Sequence, residues 1–134
     1  MVRHCKTVSV REGGILKMIR KENECKKELR EHMRDGKGTV EITNFISSPE
    51  ELCMKGRLFA KITLKSGCSI GYHVHENDSE LFYILSGTAE YNDNGRIRTV
   101  KAGEVTICPA GTGHGIENCS DETVELIAVI VYAE

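Results

Sequence analysis

The sequence holds six cysteines, Cys5, Cys25, Cys53, Cys68, Cys108 and Cys119, but no Cys-x-x-Cys pair. That spacing argues against a cysteine-based zinc site. With no apolar leader of secretory type, it predicts six reduced thiols in a cytoplasmic protein. No run of about 18 apolar residues occurs, so no membrane-spanning helix is expected. There is no basic excess either: the net charge of −2 argues against a nucleic-acid partner, which would need a basic face. No phosphate loop, dinucleotide fingerprint or serine or cysteine nucleophile constellation appears. With 134 residues and no repeat, low-complexity tract or linker, one domain is expected.

What the chain does have is concentrated between Gly67 and Gly87, GCSIGYHVHENDSELFYILSG. His73 and His75 are two residues apart, so on a strand both imidazoles leave the same face. A polar segment, Glu76 to Ser79, follows and can turn the chain. Glu80 then heads an apolar, aromatic run, Leu81 to Leu85, of strand character. Two histidines and a carboxylate on adjacent antiparallel strands can converge on a divalent metal. Glu76 should point away from His75, and Asp78 falls in the turn. Glu80 shares its face with Phe82 and Ile84, which favours it as the carboxylate ligand. A second stretch, Gly103 to Asn118, reads GEVTICPAGTGHGIEN. There a turn built from Pro109, Gly111 and Gly113 presents His114 as a third imidazole.

The two stretches resemble the paired motifs of the cupin superfamily. The first fits Gly-x5-His-x-His-x4-Glu-x6-Gly at Gly67, His73, His75, Glu80 and Gly87. The second fits Gly-x5-Pro-x-Gly-x2-His-x3-Asn at Gly103, Pro109, Gly111, His114 and Asn118. The resemblance implies an all-β, antiparallel jelly-roll barrel from about Thr39 to Tyr132, and metal ligation by His73, His75, Glu80 and His114. It implies no particular reaction, because one fold hosts many chemistries.

Elsewhere the pattern is plainer. Residues 1–14 are expected to be a partly ordered terminus; His4 and Cys5 carry no pattern of their own. Cys25, Leu29 and Met33 recur every four residues, which predicts a helix over Glu22–Arg34 packed on the barrel. The expected organisation is thus an N-terminal segment, 1–38, with one helix, and a barrel, 39–134. Ser48 can cap a helical turn with Pro49 at its first position. Arg57–Leu64 alternates, but which face looks inward is open; Arg57 and Lys61 would enter the cavity on one choice. Asn94-Gly95 between two strand-like runs predicts a type I′ hairpin. Thr123 to Ala133 predicts the last strand, apolar on both faces from Leu126 and so expected to be covered on both sides.

Three imidazoles and one carboxylate suit one divalent manganese, iron, cobalt, nickel or zinc ion. Four protein ligands on an octahedral ion leave two adjacent positions for a bidentate ligand. Phe82, Ile84 and Ile116 are expected to form a dry wall, and Asn118 to be a structural hydrogen-bonder. With Glu80 the only anionic ligand, the site keeps a charge near +1, which points to a small anionic partner: a carboxylate, α-keto acid or enediolate. Two function classes follow. One is an enzyme of dioxygenase, decarboxylase or isomerase type, by resemblance to oxalate decarboxylases. The other is a non-catalytic binding or sensing module. Outward apolar rows at Leu81, Tyr83, Leu85, Val129 and Val131 predict a homodimer.

Overall fold

The computed structural model describes residues 10–12 and 15–134, with side chains from residue 18 onward; His4 and Cys5 lie outside the described residues. The strands, in chain order, are β1 (Val10–Glu12), β2 (Ile15–Lys17), β3 (Lys26–Glu31), β4 (Thr39–Asn44), β5 (Gly56–Leu64), β6 (Ser69–Val74), β7 (Asp78–Ser86), β8 (Thr88–Asp93), β9 (Arg96–Lys101), β10 (Val105–Cys108), β11 (Gly113–Glu117) and β12 (Val124–Tyr132). β1 and β2 form a short ribbon. A six-stranded sheet runs β10-β7-β12-β5-β4-β3, and a four-stranded sheet runs β6-β11-β8-β9. The fold is the antiparallel jelly roll.

Alternation decides which side chains meet between the sheets. Ala60, Ile62 and Leu64 of β5, Phe82 and Ile84 of β7, and Leu126 and Ala128 of β12 are buried; from the smaller sheet Ile70, Ala89, Tyr91 and Ile116 join them. The inward face of β5 is therefore the one with Ala60 and Ile62. Lys61 points outward, where it pairs with Glu22 and with Glu125. Arg57 does reach the cavity mouth, because the β5–β12 register slips between Leu58 and Gly56 and leaves Arg57 as the extra residue of a bulge. The Asn94-Gly95 turn forms as expected, with φ of 51° and 101°.

Three expectations need correction. The predicted helix over Glu22–Arg34 is instead a 3-10 turn at Glu22–Glu24, strand β3, and a second 3-10 turn at Met33–Asp35. Of the four-residue stripe Met33 packs half-buried against the core, but Leu29 is exposed. The backbone edge of β4 offers a full ladder of hydrogen bonds, which β3 takes up in register from Lys26↔Asn44 to Glu31↔Thr39. Its charged residues suit an edge strand. Ser48 precedes the Pro49–Leu52 turn but makes no side-chain cap. Finally, Cys25, Cys68, Cys108 and Cys119 are free, but Cys53 is disulfide-bonded. Spacing along a chain does not show which residues folding brings together.

No described helix is long and apolar enough to cross a membrane. β12 is flanked by β5 and β7, and its inner face, Val124, Leu126, Ala128 and Ile130, is buried. On its outer face Ile127 and Val129 are half-buried and Val131 is 39% exposed.

Candidate metal centre

His73 lies on β6, His75 just past its end, and His114 on β11. His73 and His114 are direct partners in the β6–β11 ladder. Glu80 comes from β7, which belongs to the other sheet. The sequence reading put all three first-motif residues on adjacent antiparallel strands; the structure instead closes the site across the barrel, two sheets each contributing one side. Residues 75–78 make the crossing from one sheet to the other.

Side-chain ligand atoms of all four residues lie within 4.8 Å of one another. His75 Nε2 and His114 Nε2 are 3.1 Å apart, and Glu80 Oε1 stands 3.1 Å from the first, 2.9 Å from the second and 3.9 Å from His73 Nε2. Lone pairs at such distances repel unless a cation or shared proton lies among them. Right-angled ligands about 2.1 Å from a common ion stand about 3 Å apart, and tetrahedral ones about 3.4 Å. This nitrogen and oxygen donor set is suited to one metal ion.

Each imidazole is oriented by a partner on its far nitrogen. His73 Nδ1 donates to the Gly71 carbonyl at 2.8 Å, and His75 Nδ1 to Asp78 Oδ1 at 2.6 Å. His114 Nδ1 lies 2.8 Å from the Tyr91 hydroxyl. With the proton on Nδ1, each ring would offer its Nε2 lone pair to a metal at the shared centre, where the same Nε2 atoms otherwise share protons with Glu80. Burial pushes the Tyr91 phenol up to about 12, so it keeps its proton at neutral pH. Phe82 stacks on His114 with ring centroids 4.9 Å apart and fixes the ring plane. Arg57 Nε in turn donates to Asp78 Oδ2 at 3.0 Å.

Electrostatics follow from this packing. Burial raises the Glu80 carboxyl, but hydrogen bonds from His114, His73 and His75 outweigh it and hold the group well below the usual carboxylate range. His75 is raised, chiefly by its hydrogen bond to Glu80. His114 is lowered by burial, with Glu80 working the other way.

A cavity of about 80 Å³ opens from the site, bordered on its apolar side by Ile42, Leu58, Ile62, Ile70 and Ile130. That volume admits a metabolite of a few heavy atoms and no drug-sized ligand. The expected wall of Phe82, Ile84 and Ile116 is corrected: those residues are in the core, Phe82 behind His114. The mouth carries Glu28, Arg30, Arg34 and Arg57. Asn118 is structural as expected, its Nδ2 donating to the carbonyls of Leu64 and Glu122.

Sequence reasoning passed over Tyr91 and treated Asp78 only as a rival of Glu80. Tyr91 could have been found from the alternation Ala89, Tyr91 on β8. Asp78, three residues after His75, is within reach of its ring once the chain turns.

Comparison with known proteins agrees with this geometry. The family described as Cupin domain matches residues 60–130. An oxalate-binding protein of Thermotoga maritima is 40% identical over 114 residues, covering 85% of this chain and 93% of that protein. The crystal structure of a predicted oxalate decarboxylase from the same organism superposes with a TM-score of 0.82 at 39% identity, covering 86% of this chain and 99% of that one. A double-stranded β-helix domain protein from Klebsiella pneumoniae shares the fold alone, with a TM-score of 0.64 at 22% identity over 88% of this chain and 92% of that one.

Proposed function

Since this chain belongs to the cupin domain family, we propose that it holds one divalent transition metal on His73, His75, Glu80 and His114 and binds a small carboxylate there. Manganese, iron, cobalt, nickel and zinc all suit the donor set. When bound, the ion supplies Lewis acidity or, if redox-active, an electron. The observation that carries the reading is a centre with a single anionic donor, Glu80, at the base of a cavity of about 80 Å³ whose mouth is rich in arginine. Two positive charges less one leave about +1, poorly screened between isoleucine walls. The similarity to an oxalate-binding protein supports oxalate or a close analogue as the ligand.

The test is thermal stability of the metal-loaded protein with oxalate or pyruvate, against the neutral analogue oxamide. Saturation a hundredfold above Kd stabilises by about 2.7 kcal/mol, or about 5–15 °C in midpoint for a domain of this size. An equal response to oxamide, or an oxalate response that persists in metal-free Glu80→Ala protein, would remove the charge argument.

A second reading, turnover of the ligand, is favoured by Glu28, the carboxylate other than Glu80 on the cavity wall. Decarboxylation and isomerisation both need a proton carrier within reach. Release of carbon dioxide from oxalate by the loaded protein, abolished in Glu28→Gln, would support it; its absence leaves the chain a binding module.

We also propose a homodimer. The outer face of the six-stranded sheet carries Ile107, Leu81, Val129 and Phe59 in one continuous register row, with Tyr83 and Val105 beside it. Exposed apolar surface of this extent marks an interface. The segment 22–34, which as a helix could have covered these rows instead, forms strand β3 between two 3-10 turns.

A further inference from the structure

The cations at the cavity mouth are not equivalent. Arg30 is held by Glu28, to which its Nε and Nη2 donate at 3.3 and 3.1 Å. Arg57 is held by Asp78. Arg34 borders the same cavity and makes no hydrogen bond or ion pair with any described residue.

Its backbone is strained as well. Arg34 has φ 54° and ψ 39°, the left-handed region, and His32 and Asp35 beside it have φ of 51° and 63°. Side chains with a Cβ adopt that conformation at a cost, and asparagine or glycine is the usual occupant. The turn is nevertheless clamped. Lys37 N donates to Ser69 Oγ at 2.8 Å, and Ser69 N to the Lys37 carbonyl at 2.9 Å. A Cβ on Gly71 would collide with the Arg34 carbonyl oxygen, so the turn rests on the residue whose own carbonyl orients His73. Arg34 is thus a strained, exposed residue fixed against a metal-ligand strand at the border of the cavity, with no hydrogen bond or ion pair to a described residue.

We propose that Arg34 is the specificity-determining residue for a dicarboxylate ligand: the metal would take one oxygen of each carboxylate and the Arg34 guanidinium reads the two oxygens that face away from it. This rests on the carboxylate-binding reading above. Oxalate that chelates through one oxygen of each carboxylate keeps two more oxygens turned outward, whereas pyruvate keeps one oxygen and a methyl group. A planar guanidinium donates in parallel to two oxygens and gains little from the second ligand.

The experiment compares wild type, Arg34→Gln, Arg34→Lys and Arg34→Gly, each loaded with manganese, by calorimetric titration with oxalate and with pyruvate, alongside metal content and melting midpoint. Arg34→Gln is expected to keep its metal and to lose about 10- to 100-fold in oxalate affinity, with less than about threefold change for pyruvate. Arg34→Lys is expected to recover part of the oxalate loss. Arg34→Gly is expected to melt no lower than wild type, because glycine relieves the left-handed strain, while losing oxalate selectivity like the glutamine variant. Unchanged oxalate affinity in Arg34→Gln, an equal loss for both ligands, or a marked fall in the melting midpoint of Arg34→Gly would each overturn the proposal. If wild type binds neither ligand, the carboxylate reading fails first, and visibly so, before any variant is compared.

Discussion

Asp78 accepts a hydrogen bond from His75 Nδ1 at 2.6 Å on one oxygen and from Arg57 Nε at 3.0 Å on the other. Both hydrogen-bond partners lower its pKa, against burial that raises it, so it stays ionised and half-buried. The pair turns the His75 lone pair inward and raises its basicity as a ligand. Asp78→Ala is expected to weaken manganese binding by about 10- to 100-fold, as loss of such outer partners typically does. Titration of the metal-free protein measures it, and an unchanged affinity would leave Asp78 a surface ion-pair partner only.

His73 and His114 face each other in one ladder, so removing either opens the same side of the centre. His73→Ala and His114→Ala are each expected to lower the metal content of protein purified under the same conditions. Exposed Glu76, the neighbour that points away, is the control, and Glu76→Gln should retain wild-type content. Full occupancy in both alanine variants would exclude this cluster as the metal site.

Much of this cluster was legible in the sequence because His73 and His75 stand two residues apart, which a strand's period turns into one face, and because the paired motifs also hold Glu80 and His114. The same period made most barrel strands legible, from the expected start of the barrel near Thr39 onward. What was hidden depended on pairing across the fold. β3 has too little apolar pattern to announce a strand; it is one because β4 needs a partner. Arg34 reaches the cavity through a left-handed turn that no residue there advertises. Arg57 reaches it through a bulge, a register slip visible only once β12 is laid alongside β5. Glu80 approaches from the opposite sheet, which its position after a four-residue turn did not reveal.

The apolar outer row predicts the oligomeric state. Ile107 and Tyr83 are 61% and 45% exposed, on neighbouring strands of the six-stranded sheet. Light scattering at micromolar concentration is expected to give twice the mass of 14.9 kDa. Tyr83→Glu, which places a charge beside the row without touching the core, is expected to give the monomer. A wild-type monomer at that concentration would refute the interface.

Acid lability can be assigned to named carboxylates. Arg20 Nη1 and Nη2 donate to the two oxygens of Glu51 at 3.1 and 2.8 Å, and Ser47 N donates to Oε1 at 2.7 Å. The Arg20 hydrogen bond is the largest of the causes that lower the Glu51 pKa below its ordinary 4.5. A carboxylate whose folded pKa lies below its unfolded value contributes stability that is complete above the unfolded value and is lost as pH falls through the folded one. Measured in chelator, to keep metal release out of the result, the melting midpoint is therefore expected to be level from pH 7 to about 5.5 and to fall toward pH 3. Glu51→Gln removes one such group while keeping an acceptor for Arg20. The variant is expected to melt lower than wild type at pH 7 and to decline less steeply in acid, so that the two curves converge. Curves displaced in parallel across the whole range would mean that Glu51 titrates alike in the folded and unfolded chains, and that its bond to Arg20 contributes no pH-dependent stability.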